Sequence, residues 1–275
     1  MSTKNKQRNP GKIVVYIVLT IASLFSLFPF AWIIIGSTNT STNVISGKLS
    51  IGNQWLVNME KLFTQANMKT ALWNSSKIAL VTVVLTLLIT SMAAYGFQMY
   101  RNKKKEKVYS LFLLTMMIPF ASLMIPLFKL IATLKLINSV WAIILVSSSS
   151  VFMVFFFRQS FVNYPVDVLE AARVDGANAL TTFFRIFVPS MKSTYAAAAI
   201  YTFMTSWNNY LWPLIVLQTN DKQTTTLLIS SLSSAYTPDY GVIMGGISIA
   251  TLPVIIIFFA FQKQFVEGMI GSVKQ

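Results

Sequence analysis

Two residue types are missing from this chain of 275 residues: it has no cysteine and no histidine. A Cys/His zinc site, a histidine-ligated haem and a Cys or Ser–His nucleophile system are therefore excluded within it. Charge is scarce as well, at 11% of residues against about 25% in an ordinary soluble domain. So few charges cannot cover a water-facing surface. No stretch fits G-x-x-x-x-G-K-[ST], the loop that cradles phosphates in ATPases, and no soluble stretch could house a nucleotide-binding domain. The long apolar runs carry no ionisable residue near their middles, where proton- and ion-coupled carriers place carboxylate or histidine relays. If this chain takes part in energised transport, the energy enters from a partner.

Apolar sequence is abundant: 55% of residues are hydrophobic and the mean hydropathy is +0.62. A membrane-spanning helix needs roughly 20 mostly apolar residues. Six stretches free of Asp, Glu, Lys and Arg are long enough: 13–47, 78–100, 108–128, 136–157, 193–220 and 240–262. Their hydrophobic parts predict helices near 13–36, 75–99, 108–131, 138–158, 193–217 and 241–263. The first core is too long for a cleaved signal peptide, and no small-residue cleavage site follows it. The expected fold class is an all-α integral membrane protein with six transmembrane helices. Residues 1–12 form an N-terminal arm, 13–263 the membrane domain with a loop at 159–191, and 264–275 a C-terminal tail.

Basic residues set the expected orientation, because connections on the cytoplasmic side carry excess Lys and Arg. Lys4, Lys6, Arg8 and Lys12 lie in the arm, and Arg101, Lys103, Lys104, Lys105 and Lys107 follow the second run. Arg158, Arg173, Arg185 and Lys192 follow the fourth, and Lys263 and Lys274 close the chain. These groups fall on alternate connections, so both termini are expected in the cytoplasm. The net charge of +14 is then a topology signal, and "RNKKKEK" reads as a basic loop at the lipid surface rather than a nucleic-acid site. On the other side, "WLVNMEKLFTQANMK" predicts a short interfacial helix. Trp55 and Trp73 suit the lipid–water boundary, and Lys77 and Lys129 can snorkel outward.

One cytoplasmic stretch is unlike the rest: "EAARVDGANALTTFFRIFVP", residues 170–189. Pro165 is placed to be the first residue of a helix, with Asp167 and Glu170 early in it, where the helix dipole favours negative charge. Glu170 and Arg173 are spaced to pair, for about 0.2–0.5 kcal/mol. Gly176 reads as a helix stop, since glycine takes the left-handed conformation at low cost. Leu180, Phe183, Phe184 and Phe187 recur with one-face helical spacing, and Pro189 ends that helix. Two short helices around a tight turn are thus expected at the membrane surface. They either lie in the headgroup region or form a docking knob, in which Ala171 and Ala172 allow close approach.

The segment resembles the EAA motif of ATP-binding-cassette importer permeases, E-A-A-x-x-x-G, nine residues, then I-x-L-P. Glu170, Ala171, Ala172, Gly176, Ile186 and Pro189 fall at that spacing, with Val188 where Leu is usual. Further stretches ("MIPFASLMIPLFKLIATLKLINSVWAIIL", "SWNNYLWPLIVL", "GISIATLPVIIIFF", "FVEGMIGSVKQ") are similar to the carbohydrate-uptake subfamily, on the side of the smaller maltose-importer permease. The resemblance runs from about residue 13 to 275. It implies a type I importer permease fold with a coupling helix that sits in a cleft on the ATPase. The ATPase-coupling residues it implies are Glu170, Ala171, Ala172, Asp175, Gly176, Arg185 and Pro189. The implied partners are a second homologous permease, two copies of a cytoplasmic ATPase, an extracytoplasmic sugar-binding protein and membrane lipid. ATP and Mg would be bound by the ATPase, and this chain would hold no cofactor. The tail from Gly268 to Gln275 would reach between the ATPase subunits.

The substrate-path candidates are Trp207, Asn208, Asn209 and Tyr210, from "SWNNYLWP". Sugar sites combine an aromatic plate with amide hydrogen bonds, because a pyranose has an apolar face and a polar rim. Trp207 and Tyr210 are spaced to share a helix side, as are Asn208 and Trp212. The same residues also fit an interfacial aromatic belt and interhelical amide bonds, and both readings stay open. "SSSS" at 147–150 is a polar patch suited to packing or backbone bonding. Pro119, Pro126, Pro213 and Pro253 are placed to kink or break helices, and Gly245 and Gly246 to admit a close neighbour, from the partner permease or within the chain. The expected function is that of a multi-pass permease in a prokaryotic cell membrane, importing a di- or oligosaccharide by alternating access, with no covalent chemistry of its own. The alternatives are a polyol or glycerol-phosphate importer permease and a stand-alone facilitative carrier.

Overall fold

The computed structural model describes residues 10–162 and 164–270, and the side chains among them other than those of 10, 166, 173 and 264–270. The arm through residue 9, the tail from residue 271 and the Glu170–Arg173 pair fall outside the described residues and side chains. Every regular element among the described residues is helical. Four helices are long and apolar enough to cross a membrane: Gly11–Ser37, Met68–Met99, Val140–Phe161 and Tyr240–Lys263. A further pair, Lys103–Thr115 and Phe120–Thr133, passes the same test jointly but is bent by 103°. The chain divides into two compact units. One holds the described residues up to Ala66 with Ile229–Thr251, and the other Asn67–Leu228 with the described residues from Leu252.

In the first unit, α1 (Pro10–Ser37) leads through α2 (Ser41–Ile45) to α3 (Trp55–Thr64). The apolar window of α1 has no buried residue. Its far end is closed by amides. The buried Asn58 donates to the carbonyls of Ser37 and Asn39, at 2.9 Å each. Asn39 donates to those of Ile35 and Ser50 at 3.0 and 2.9 Å. A Cβ on Gly245 would lie 2.3 Å from the Met59 methyl, so the neighbour this glycine admits is α3 of the same chain.

The second unit is built around α4 (Met68–Met99). One face of α4 buries Ala71, Ser75, Ala79, Thr82, Thr86, Thr90 and Ala94, a stripe of small residues at helical spacing that lets helices approach closely. Against α4 pack α7 (Val140–Ser148), α8 (Val151–Phe161) and α11 (Lys192–Trp207). The third predicted span starts five residues early. Asn102 caps α5 (Lys103–Thr115) by accepting from the Lys105 amide at 2.9 Å, so the basic run is helical rather than a loop.

The third span is also not straight. α5 stops at Thr115 and α6 (Phe120–Thr133) begins after Pro119. A proline disfavours helical backbone in the residue before it, here Ile118, and offers no N–H itself. The serine run opens a second break. Ser149 leaves the helical region, and Ser150 caps α8 by accepting from the Met153 amide at 3.3 Å. The hydroxyls of Ser148 and Ser149 donate back to the carbonyls of Ile144 and Leu145. Pro126 and Pro253 remain inside continuous helices.

The predicted span 193–217 divides into α11 and the short α12 (Leu211–Val216). Pro213 lacks the N–H that would reach the Asn209 carbonyl, and its ring would press on that carbonyl. Here the helix opens at 208–210, directly ahead of it. A 3₁₀ turn at Asn220–Lys222 follows, then α13 (Thr225–Ser233) and α14 (Tyr240–Ile270). The backbone of α14 thus stays helical into the segment predicted as a tail.

Candidate functional site

The loop after α8 is built from three local signals. α9 spans Val166–Val174, so Pro165 sits just before the first turn, one position earlier than predicted. Asp167 lies in that turn, where the exposed N–H groups favour its charge. The helix stops because Gly176 takes φ +82°. The Ala177 amide then donates to the Ala172 carbonyl at 3.0 Å, and the Asp175 amide to that of Ala171 at 3.0 Å, which satisfies the last carbonyls of α9. A Cβ on Gly176 would meet nothing within 4 Å, so backbone conformation and not space demands glycine. Asn178 then caps the next helix, accepting from the Thr181 amide at 2.8 Å. That cap was legible as an Asn directly before an Ala-Leu run.

The second helix, α10 (Ala179–Ser190), has a π-wound middle at Thr182–Phe187. The predicted four-residue apolar face is therefore split. Phe183 and Phe187 are buried, while Leu180 is 59% and Phe184 47% exposed. Pro189 accounts for the winding. In a regular helix its ring would collide with the Arg185 carbonyl, and the wider π turn lies directly before it. The helix accordingly runs through Pro189 and ends at Ser190.

The two inward rings enter an aromatic cluster. Phe187 lies 4.5 Å from Phe161, 4.6 Å from Tyr164 and 4.9 Å from Tyr95, ring centre to ring centre. Phe183 lies 5.1 Å from Tyr95. Leu169 of α9 is buried in the same cluster. Such ring pairs add about 0.5–1.5 kcal/mol each beyond their burial. The loop thereby rests on α4 and α8 as one packed body.

Its outer surface is set by the same packing. Glu170, Ala171, Asp175, Gly176, Arg185 and Pro189 are exposed. Ala172 is buried, so of the two alanines only Ala171 is presented outward. Val174 is 88% exposed. A shallow groove lined by Tyr164, Pro165, Val168, Ile186, Ser190 and Met191 runs along the loop.

The second candidate region is the break between α11 and α12. Trp207 is buried and stacks on Phe203 at 5.5 Å with the planes 18° apart, and its carbonyl accepts from the Thr226 hydroxyl at 2.9 Å. Asn208 is exposed and donates to the Met204 carbonyl at 2.9 Å. Asn209 and Tyr210 are half-buried in the non-helical link. Trp212 is fully buried and donates its indole N–H to the Ala142 carbonyl at 2.9 Å. Neither predicted shared side survives. The Pro213 break separates Trp207 from Tyr210, and Trp212 points inward while Asn208 points out.

The sequence matches the family described as Binding-protein-dependent transport system inner membrane component over residues 86–271. The chain belongs to that family. It is 51% identical over 274 residues to the lactose transport system permease protein LacG of Rhizobium radiobacter, covering 100% of both chains. It is 38% identical over 269 residues to the arabinooligosaccharides transport system permease protein AraQ of Bacillus subtilis, covering 96% of each. Its fold matches a chain of a bacterial ABC transporter that imports the acidic polysaccharide alginate, with a TM-score of 0.81 and 22% identity over 96% of this chain and 100% of that one. The protein is thus a multi-pass inner-membrane permease subunit of an ABC importer with the type I permease fold, and not an enzyme. An ATPase and a substrate-binding protein are its partners in transport.

Proposed function

We propose that this permease carries a carbohydrate, a di- or oligosaccharide, into the cell by alternating access. The observation that carries the mechanism is the loop at 166–190: a closed turn at Gly176, seated on rings of α4 and α8 and exposing Glu170, Ala171, Asp175, Arg185 and Val174. Exposed apolar side chains beside charges on a rigid knob suit a protein partner. That partner is the ATPase, present in two copies that bind ATP and Mg, while this chain holds no cofactor. A second, homologous permease completes the path, and lipid surrounds both. Full-length likeness to permeases named for lactose and for arabinooligosaccharides supports the sugar class.

Both termini and the loop lie in the cytoplasm in this reading, in line with the placement of Lys and Arg, and six crossings result if 193–217 crosses as a broken helix. Breaks of this kind are tolerated where backbone faces protein or a water-filled path. ATP binding shifts the population between the two access states. Asn208, Asn209 and Tyr210, at the break, are the substrate-path residues. The buried, stacked Trp207 holds the end of α11 beneath them.

Reconstitution of the purified complex in liposomes tests the substrate class. Uptake is measured with radiolabelled disaccharide, trisaccharide, monosaccharide, polyol and glycerol 3-phosphate, with and without ATP inside. ATP-dependent uptake of a di- or trisaccharide supports the reading. Uptake confined to the polyol or glycerol 3-phosphate replaces it, and ATP-independent uptake by the chain alone removes the importer mechanism.

A further inference from the structure

We infer that Arg158 and Glu106 form the joint through which the loop at 166–190 drives the bent α5–α6 pair, which makes Arg158 a positioning residue for transport. The inference rests on the docking reading of that loop.

Arg158 lies in the last turn of α8, and its side chain is only 8% exposed. A guanidinium taken out of water costs several kcal/mol unless it is paired, and this one has three partners on two helices. Its Nη2 donates to Glu106 Oε1 at 2.5 Å, and its Nε to Gln98 Oε1 at 3.4 Å. The guanidinium carbon stands 3.9 Å from the ring centre of Tyr109. Glu106 accepts a second bond from Arg101 Nε at 2.9 Å. One side chain of α8 therefore grips α4 through Gln98 and α5 through Glu106 and Tyr109.

Two features make this a transmission point. Tyr109 is the only buried residue of α5, and both it and the carboxylate of Glu106 are gripped by Arg158, while Phe97 of α4 adds ring contacts to Tyr109 and Phe112 at 5.5 and 6.0 Å. The residues flanking the joint on α8, Phe157 and Phe161, are fully buried in the aromatic cluster. Phe161 meets Phe187 of the loop, and Phe157 lies 4.9 Å from Tyr195 of α11. The last turns of α8 thus hold the loop by one face and α5 by the next. A displacement of the loop that moves α8 carries α5 with it, and beyond the bend, α6. A lysine could supply the charge but not the planar fork that meets the carboxylate, the amide and the ring together.

The test uses the assembled complex in liposomes, with ATP hydrolysis and sugar uptake measured on the same preparation. Arg158→Gln and Glu106→Gln are expected to keep the ATPase bound and hydrolysis near the wild-type rate. Sugar moved per ATP is expected to fall by about tenfold, within the 5–150-fold range usual for coupling between sites. Arg158→Lys is expected to recover part of the loss. Unchanged sugar per ATP, or hydrolysis and uptake falling in proportion, overturns the joint.

If Arg158→Gln does not assemble, the decision passes to the double variant Glu106→Cys/Arg158→Cys, in a chain with no other cysteine. Sugar per ATP should be low when the thiols are free and recover after a short bis-thiol linker joins them. No recovery overturns the joint. Gly176→Val separates the two readings. If it keeps the ATPase, docking fails. If it loses the ATPase while Arg158→Gln leaves sugar per ATP unchanged, only the joint fails.

Discussion

The two ends of α4 are held by different chemistry. Near Ala94 and Tyr95 the neighbours are rings, with Phe183 and Phe187 of the loop at 5.1 and 4.9 Å from Tyr95. Near Asn74 and Ser75 they are backbone groups. Asn74 Nδ2 donates to the carbonyls of Asp221 and Gln223 at 2.9 and 3.1 Å, and the Ser75 hydroxyl accepts from the Thr225 amide at 2.8 Å. Ring contacts cover a wide area in edge-on or offset arrangements, so they seat the loop on α4 as one body. Hydrogen bonds weaken steeply with angle and distance and pin the 219–225 segment in one place. The loop end of α4 is thus held by packing area, and the far end by directed bonds.

Substitutions sharpen that contrast. The largest effect is expected at the ring end. Phe187→Ala should destabilise the fold by about 3–5 kcal/mol, seen as a lower melting temperature in detergent, while Phe187→Leu should recover much of it because the contact is not directional. At the far end, Asn74→Ala should cost about 0.5–1.5 kcal/mol by removing its two hydrogen bonds, with faster amide exchange confined to 221–225. Asn74→Leu should not rescue it. If leucine rescues Asn74 but not Phe187, the two ends are assigned the wrong way round.

The smallest effect concerns Asp221. A hydrogen bond from Thr219, with the Lys222 ammonium nearby, holds its carboxyl below the usual carboxylate range. The folded value is the depressed one, so its contribution is present above the ordinary carboxylate range and lost as pH falls through the depressed value. The group is fully exposed, so stability should barely respond. Thr219→Val should raise the midpoint of a carboxyl ¹³C titration toward the ordinary value, and no change would remove Thr219 as its cause.

Local rules made the loop readable. The Gly176 turn, the acidic first turn of α9 and its separation from α10 all follow from residue type and spacing. The apolar face of α10 did not, because periodicity arguments assume 3.6 residues per turn and Pro189 forces a wider winding ahead of itself. The span at 193–217 was misjudged in continuity for a similar reason: hydropathy averages over Pro213 as it does over Pro126 and Pro253, and only at Pro213 does the helix open. Arg158 and the "RNKKKEK" run were legible as topology charges, but the pairing of Arg158 with Glu106 joins residues 52 apart, which no local pattern reveals. Trp207 fitted both a sugar plate and an aromatic belt, and whether a tryptophan faces a cavity or a neighbouring ring is decided by packing.

The central claim is that residues 170–189 dock the ATPase. The direct measurement is affinity purification of the tagged chain in mild detergent, as wild type and with Glu170→Lys or Gly176→Val, with co-purifying proteins identified by mass spectrometry. A β-branched residue resists the left-handed conformation at Gly176, and Glu170→Lys reverses an exposed charge. The account predicts that an ATPase accompanies the wild-type chain and is lost from both variants, while both remain inserted in the membrane. Equal recovery of the ATPase with all three chains would contradict it.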